Sequence, residues 1–304
     1  MNRSSLLALA AASSIALAAA SSIALADTPI DETIEANSID LIDVANLAGS
    51  VTVRGTSRND VHVTGLLADG AERLEVERNG NRLIVHVIYP DDRNQRRYPG
   101  GTTLVIEVPK RLAVDVPTVS ANIEIDDIEG EQQLESVSGS IDASVFESEI
   151  RANTVSGSIV LQGHDGKTRA TAKSVSGRVE LERLSGEVDA QNVSGSVEIR
   201  SSDLDRVEAQ SVSGNITIEA EMAKDGRVRA TTTSGRVELD LTGSPAGRYQ
   251  ISSFSGRIDN CFGPSPSRQR FGPPSSTLQF DEPDARMQVY ANSMSGNIEV
   301  CNRK

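Results

Sequence analysis

Two cysteines, three histidines and a recurring Ser-Gly pair are the residues of this 304-residue chain best placed to do chemistry. Cys261 and Cys301 each stand five residues after the glycine of a Ser-Gly pair, Gly256 and Gly296, so they hold the same position in two copies of one motif. Equivalent positions on neighbouring strands lie ~5 Å apart at Cα, which a disulfide tolerates. In an oxidising compartment the expectation is therefore a Cys261–Cys301 bond between adjacent coils, stapling the last one. On the loop-entropy account such a bond contributes roughly 3–4 kcal/mol. Two buried free thiols are the alternative, and it belongs to a reducing compartment. There is no C-x-x-C to mark a redox-active pair.

The other chemistries find less support. A Ser-His-Asp arrangement has only His62, His86 and His164 to draw on. The first two sit inside alternating strand patterns, and no G-x-S-x-G elbow is present. A nucleophile is needed once, whereas the Ser-Gly pair recurs nine times, which marks it as structural. No H-E-x-x-H, Cys/His cluster or D-x-D-x-D-G loop points to a metal, and no cofactor is expected. Asp142, Glu180, Glu198, Glu219, Glu238 and Glu299 recur at similar repeat positions, so carboxylates on neighbouring coils fall at glycosidase-like separations of ~5–9 Å. Arg178, Arg236 and Arg257 interleave with them, which reads as a solvated face of mixed charge rather than a cleft.

Composition narrows the partners. The chain has 30 Lys+Arg against 43 Asp+Glu, a net charge of -13. That balance disfavours nucleic acid and anionic membrane surfaces. Aromatics make up 3%, without Trp, while 38% of residues are hydrophobic, mostly small or β-branched. Such side chains suit thin layered packing.

Residues 1–26 read as a secretory signal peptide. Arg3 is followed by an uncharged run ending in Ala24-Leu25-Ala26, a small-residue cleavage site, so cleavage is expected after Ala26. An uncleaved anchor is the alternative. No cysteine stands near the site, which argues against a lipoprotein. No later apolar run is long enough to span a bilayer, so a periplasmic or secreted protein is expected.

From residue 119 the chain repeats itself. The pattern x-Ser-Gly-x-Ile/Val places glycines at 139, 157, 177, 186, 195, 214, 235, 256 and 296. With Gly186 set aside, the spacings are 18, 20, 18, 19, 21, 21 and 40 residues. A period near 20 marks a solenoid whose units bury their apolar faces against one another. In Val207-Glu-Ala209-Gln-Ser211-Val212-Ser213-Gly214-Asn-Ile216-Thr-Ile218 the alternation of a strand breaks at Val212 and resumes with shifted parity. Such a slip would turn every side chain to the wrong face unless the chain turns a corner there. The coils are therefore strand, Ser-Gly corner, strand and variable return loop. Gly139, Gly157, Gly177, Gly195, Gly214, Gly235, Gly256 and Gly296 are the expected corner glycines, kept for positive φ or for lack of room. Thr154, Ser174, Asn192, Ser211, Thr232, Ser253 and Ser293 should stack as a polar ladder.

Residues 27–117 alternate as strands without this period, and Asn79-Gly80 signals a hairpin. They read as a β-rich region that caps the solenoid of 118–304 and covers its edge. The segment 263–276, GPSPSRQRFGPPSS, is a Pro/Gly-rich insertion expected to be a loop. Its Arg268, Arg270 and Phe271 are candidate recognition residues.

The leader, the strand Gly49-Ser-Val-Thr-Val-Arg-Gly55, the segment Val105-Ile-Glu-Val-Pro-Lys110 and the Val-Ser-Gly-Ser-Ile-type repeats together resemble the bacterial DUF4097 family, labelled as adhesins. The resemblance spans essentially the whole chain after the leader. It implies an all-β solenoid of the cell envelope and supplies no catalytic residue. The resulting expectation is an exported, non-catalytic envelope protein with an adhesin-like binding or structural role, whose partner is a glycan or a protein. A polysaccharide-cleaving enzyme on a β-helix scaffold and an accessory protein of an envelope-stress system are the rival readings.

Overall fold

The computed structural model describes residues 27–90, 100–164, 166–244, 246–268 and 275–302. The leader and two of the candidate loop residues, Arg270 and Phe271, lie outside these. Every regular element among the described residues is a β-strand. Each coil carries one strand before the Ser-Gly corner and one after it. Equivalent strands of neighbouring coils pair in parallel and in register, as in Ala152↔Ala172↔Ala190↔Ala209↔Ala230↔Ala291. Those alanines are fully buried, and the aliphatic residues that follow each corner, from Ile141 to Ile298, are buried too. Small and branched side chains together suit a narrow, closely packed core.

The order of the coils in space differs from their order in sequence at both ends. At the C-terminal end, Met287–Ser293 pairs on one side with Ile216–Thr232 and on the other with Gly247–Ser253. The last coil is thus inserted beneath the one before it. At the N-terminal end, Leu41–Thr56 lies between Arg82–Ile88 and Thr102–Pro109 on one side and Ala113–Asp126 on the other. The strands of 27–117 therefore extend the same two faces as the repeats, and Ala113–Asp126 runs through position 117. Eleven parallel rungs result, a rod of about 50 Å at ~4.8 Å per rung.

Antiparallel strands close the ends. Asp60–Leu67 adds to Thr102–Pro109 and Thr28–Glu35 adds in turn to Asp60–Leu67, while Arg73–Asn79 adds to Arg82–Ile88. At the other end Ser276–Asp281 pairs antiparallel with Gly247–Ser253, and Ser267–Arg268 pairs with it in turn. The insertion is therefore not wholly a loop, as the proline count led one to expect. Its flanks form a hairpin because the outermost rung leaves a row of unpaired backbone groups that a strand can satisfy. Two expected return loops also differ. Val197–Ser211 and Ile216–Thr232 are continuous strands with register shifts where they bend.

Candidate binding groove along the corners

The corners explain both the repeat and the surface it creates. In all eight coils the side chain that ends the first strand accepts a hydrogen bond from the corner glycine N–H three residues on, at 2.5–3.1 Å. Most of these same side chains donate to the carbonyl of the neighbouring coil, as Ser174 does to Gly157 and Ser253 to Gly296. Ser276 of the closing hairpin continues the ladder by donating to the carbonyl of Gly256. The expected ladder residues are all buried. Each thus satisfies one backbone donor and, in most coils, one backbone acceptor that the turn frees.

The corner glycines are not in the left-handed region; among the Ser-Gly glycines only Gly186 is, and it opens the strand Gly186–Asn192. They are required because a Cβ on each would collide with the backbone carbonyl one rung below, Gly157 on Gly139, Gly177 on Gly157, and so on. Of the two reasons expected for these glycines, lack of room is the one that applies.

The apolar residue before each Ser-Gly pair belongs to neither inner face. Val119, Val137, Val155, Val175, Val193 and Val212 are 42–47% exposed, and Met294 and Phe254 are 60% and 50% exposed. Backbone bonds from each corner serine to the preceding coil hold these residues one rung apart, with Thr233 filling the row between Val212 and Met294. A groove of about 720 Å³ runs beside the row. Its far wall is the outward row Glu135, Asn153, Lys173, Gln191 and Gln210. An aliphatic strip is thus edged on one side by three amides with one glutamate and one lysine, and on the other by exposed serines. The parity break at this residue was the available sequence signal, since a residue between two inner faces points to solvent.

Cys261 and Cys301 are disulfide-bonded, with Cα atoms 4.9 Å apart. They join coils adjacent in space, and the coil stapled at the outside of the stack is the earlier one in sequence. Cys261, Cys301 and Glu299 are the one group of metal-ligating types among the described residues, and its two sulfurs bond each other.

The other candidate groups are dispersed. Asp142, Glu180, Glu198, Glu238 and Glu299 fall in one outward column, interrupted by Val160 and Thr217. Arg200 bridges Glu180, Glu198 and Glu219, and Arg236 pairs with Glu238 at 3.2 Å. Burial, followed by Glu124 and Asp126, pushes the Asp142 carboxyl above the usual range. His62 pairs with Asp31 at 2.9 Å, His86 with Asp43 at 3.1 Å, and His164 stacks on Phe146. Among the described residues no serine or threonine hydroxyl is bonded to any of the three rings. Arg268 is exposed on the closing hairpin. Among the described residues no helix is long and apolar enough to cross a membrane.

No curated protein matches this chain. Several solved structures do. A candidate adhesin from Bacteroides fragilis NCTC 9343 is 14% identical over 90% of this chain and 97% of its own, with a TM-score of 0.45. A candidate lipid-binding protein from Parabacteroides distasonis ATCC 8503 is 14% identical over 90% and 96%, with a TM-score of 0.47. A candidate cell adhesion protein from Clostridium sporogenes ATCC 15579 is 10% identical over 91% and 100%, with a TM-score of 0.27. The Toastrack DUF4097 family model matches residues 39–301, across the stacked coils and both of their reordered ends, and the chain belongs to that family.

Proposed function

We propose that this is an exported, non-catalytic binding protein of the cell envelope that holds an extended glycan along its corner groove. The observation that carries the reading is the unbroken row of exposed Val119, Val137, Val155, Val175, Val193 and Val212, which serves no core. An exposed apolar patch of this length marks an interaction surface. A sugar ring offers an apolar C–H face with a rim of hydroxyls, and the groove offers an aliphatic strip between amide and serine rows. Glu135 and Lys173 are the charged side chains in its wall, so the ligand meets a nearly neutral surface on an acidic protein. The leader at 1–26 and the Cys261–Cys301 bond support an oxidising destination outside the cytoplasm.

The test incubates the mature protein with insoluble envelope and plant cell-wall polysaccharides, scoring retained protein and released sugar in the same tubes. Retention without release is expected, with at least a tenfold loss in a Val155→Asp/Val193→Asp variant whose Tm is unchanged. Retention that ignores the variant overturns the groove. Sugar release lost in Glu198→Gln would instead identify a cleaving enzyme. Failure of every glycan to bind would point to a protein partner.

A further inference from the structure

On the broad face before the corners, one area reverses the charge of the molecule. Four consecutive rungs there carry Arg206 and Glu208, then Arg227 and Arg229, then Gln288 and Tyr290, then Arg248 and Gln250, four arginines against one carboxylate. These side chains line a shallow depression of about 440 Å³. Two of the arginines are engaged: Arg206 pairs with Glu208 at 2.7 Å and Arg248 with Asp281 at 3.1 Å. Arg227 and Arg229 make no salt bridge among the described residues. Glu208 lies across from Arg229, but its oxygens are held by Arg206 and Gln210. The Arg229 guanidinium sits 4.6 Å over the ring of Tyr290, which fixes its plane without neutralising it.

Two free guanidinium groups two residues apart on one strand face, one of them pre-oriented, fit a planar anion bound through paired N–H donors. The amides of Gln250 and Gln288 and the hydroxyl of Tyr290 add uncharged partners suited to hydroxyl groups. The net charge of -13 repels ligands of high charge density beyond the patch, within the ~8 Å reach of screening at physiological salt. Those requirements together describe a singly charged, hydroxyl-rich ligand.

We propose that Arg227 and Arg229, flanked by Gln250, Gln288 and Tyr290, form a site for a hexuronic acid, bound through its carboxylate. These residues are separate from the corner groove. The same chemistry arises in a free sugar acid and in a uronate unit of a polysaccharide.

Calorimetry on the mature protein, with galacturonate, a galacturonate oligomer, an uncharged glucose oligomer and inorganic phosphate, tests this. A galacturonate ligand should bind, the glucose oligomer should not, and affinity should fall with added salt. Arg227→Ala/Arg229→Ala should weaken binding at least tenfold, since charged hydrogen bonds are lost. Arg227→Lys/Arg229→Lys should fall between it and the native protein, because charge is kept and the fork is lost. Binding of monomer and oligomer alike assigns the site to the free acid; binding of the oligomer alone assigns it to a polymer. No uronate binding, binding unchanged in the alanine variant, or phosphate binding as tight as uronate overturns the proposal. Val155→Asp/Val193→Asp should leave uronate binding intact, so failure of the groove reading and failure of this one are distinguishable.

Discussion

Gly296 packs against the carbonyl of Gly235, sixty-one residues earlier, and Gly256 packs in turn against the carbonyl of Gly296. The final coil therefore has a rung on each side of it, and the C-terminus of the repeat is not an edge.

Those stacked glycines should tolerate no side chain. Gly177→Ala places a methyl group against the Gly157 carbonyl and is expected to cost about 1–3 kcal/mol or more, as overpacking does. Urea unfolding of the variant beside the native protein measures it. A change below about 0.5 kcal/mol, the range of an ordinary surface substitution, would show that the rungs can separate.

The polar ladder should be equally sensitive to loss of its hydroxyls. Ser174→Ala leaves the N–H of Gly177 and the carbonyl of Gly157 without their partner, a cost of about 1–3 kcal/mol for buried groups. Ser174→Thr should be close to neutral, because Thr154 and Thr232 do the same work in their own coils. Denaturation midpoints of the two variants separate the hydroxyl from the side-chain volume.

The disulfide closes a loop of 40 residues, for which the loop-entropy account gives about 4 kcal/mol. Cys261→Ser/Cys301→Ser should lose about that amount. The native protein in reductant should lose the same. Limited proteolysis should then cut first within 247–286, since the outermost coil is released from its neighbour.

Tyr249 supplies a pH test. It is buried, stacks on Phe280 at 4.8 Å and meets Phe262 edge-on. Burial pushes its hydroxyl up to about 12 from an ordinary 10.0, against a lowering by the bond from Asn302. The unfolded chain ionises first. The contribution is therefore complete below about pH 10 and is lost as pH rises from about 10 to about 12, at up to about 1.4 kcal/mol per unit. Circular dichroism across that window should show a loss of stability that is shallower in Tyr249→Phe.

Much of the fold was legible along the chain. Parity is a local property of successive side chains, so the break at Val212 and its equivalents located every Ser-Gly corner, though not the bends of the rungs within 27–117. The buried Ser, Thr and Asn before each corner followed from the same alternation. The exposed row at the corners was also written there, as the one apolar residue per unit that fits neither inner face.

The order of the coils was not legible. All units share one backbone pattern, so any could stack on any other, and the spacing of 40 residues only made Gly256 and Gly296 neighbours. Tertiary packing decided that the last coil slips beneath the one before it. Ser276–Asp281 finds its partner on the outer side of Gly247–Ser253, and the turn at 282–286 then carries the chain past the end of that strand to its inner side. The Arg229–Tyr290 pair depends on that insertion: residues 61 apart meet only because Met287–Ser293 pairs directly with Ile216–Thr232. Sequence alone determined what each coil is, because hydrogen bonding and burial within a coil are local. Only the folded stack decided which coils touch, because that choice rests on long-range pairing between nearly identical edges.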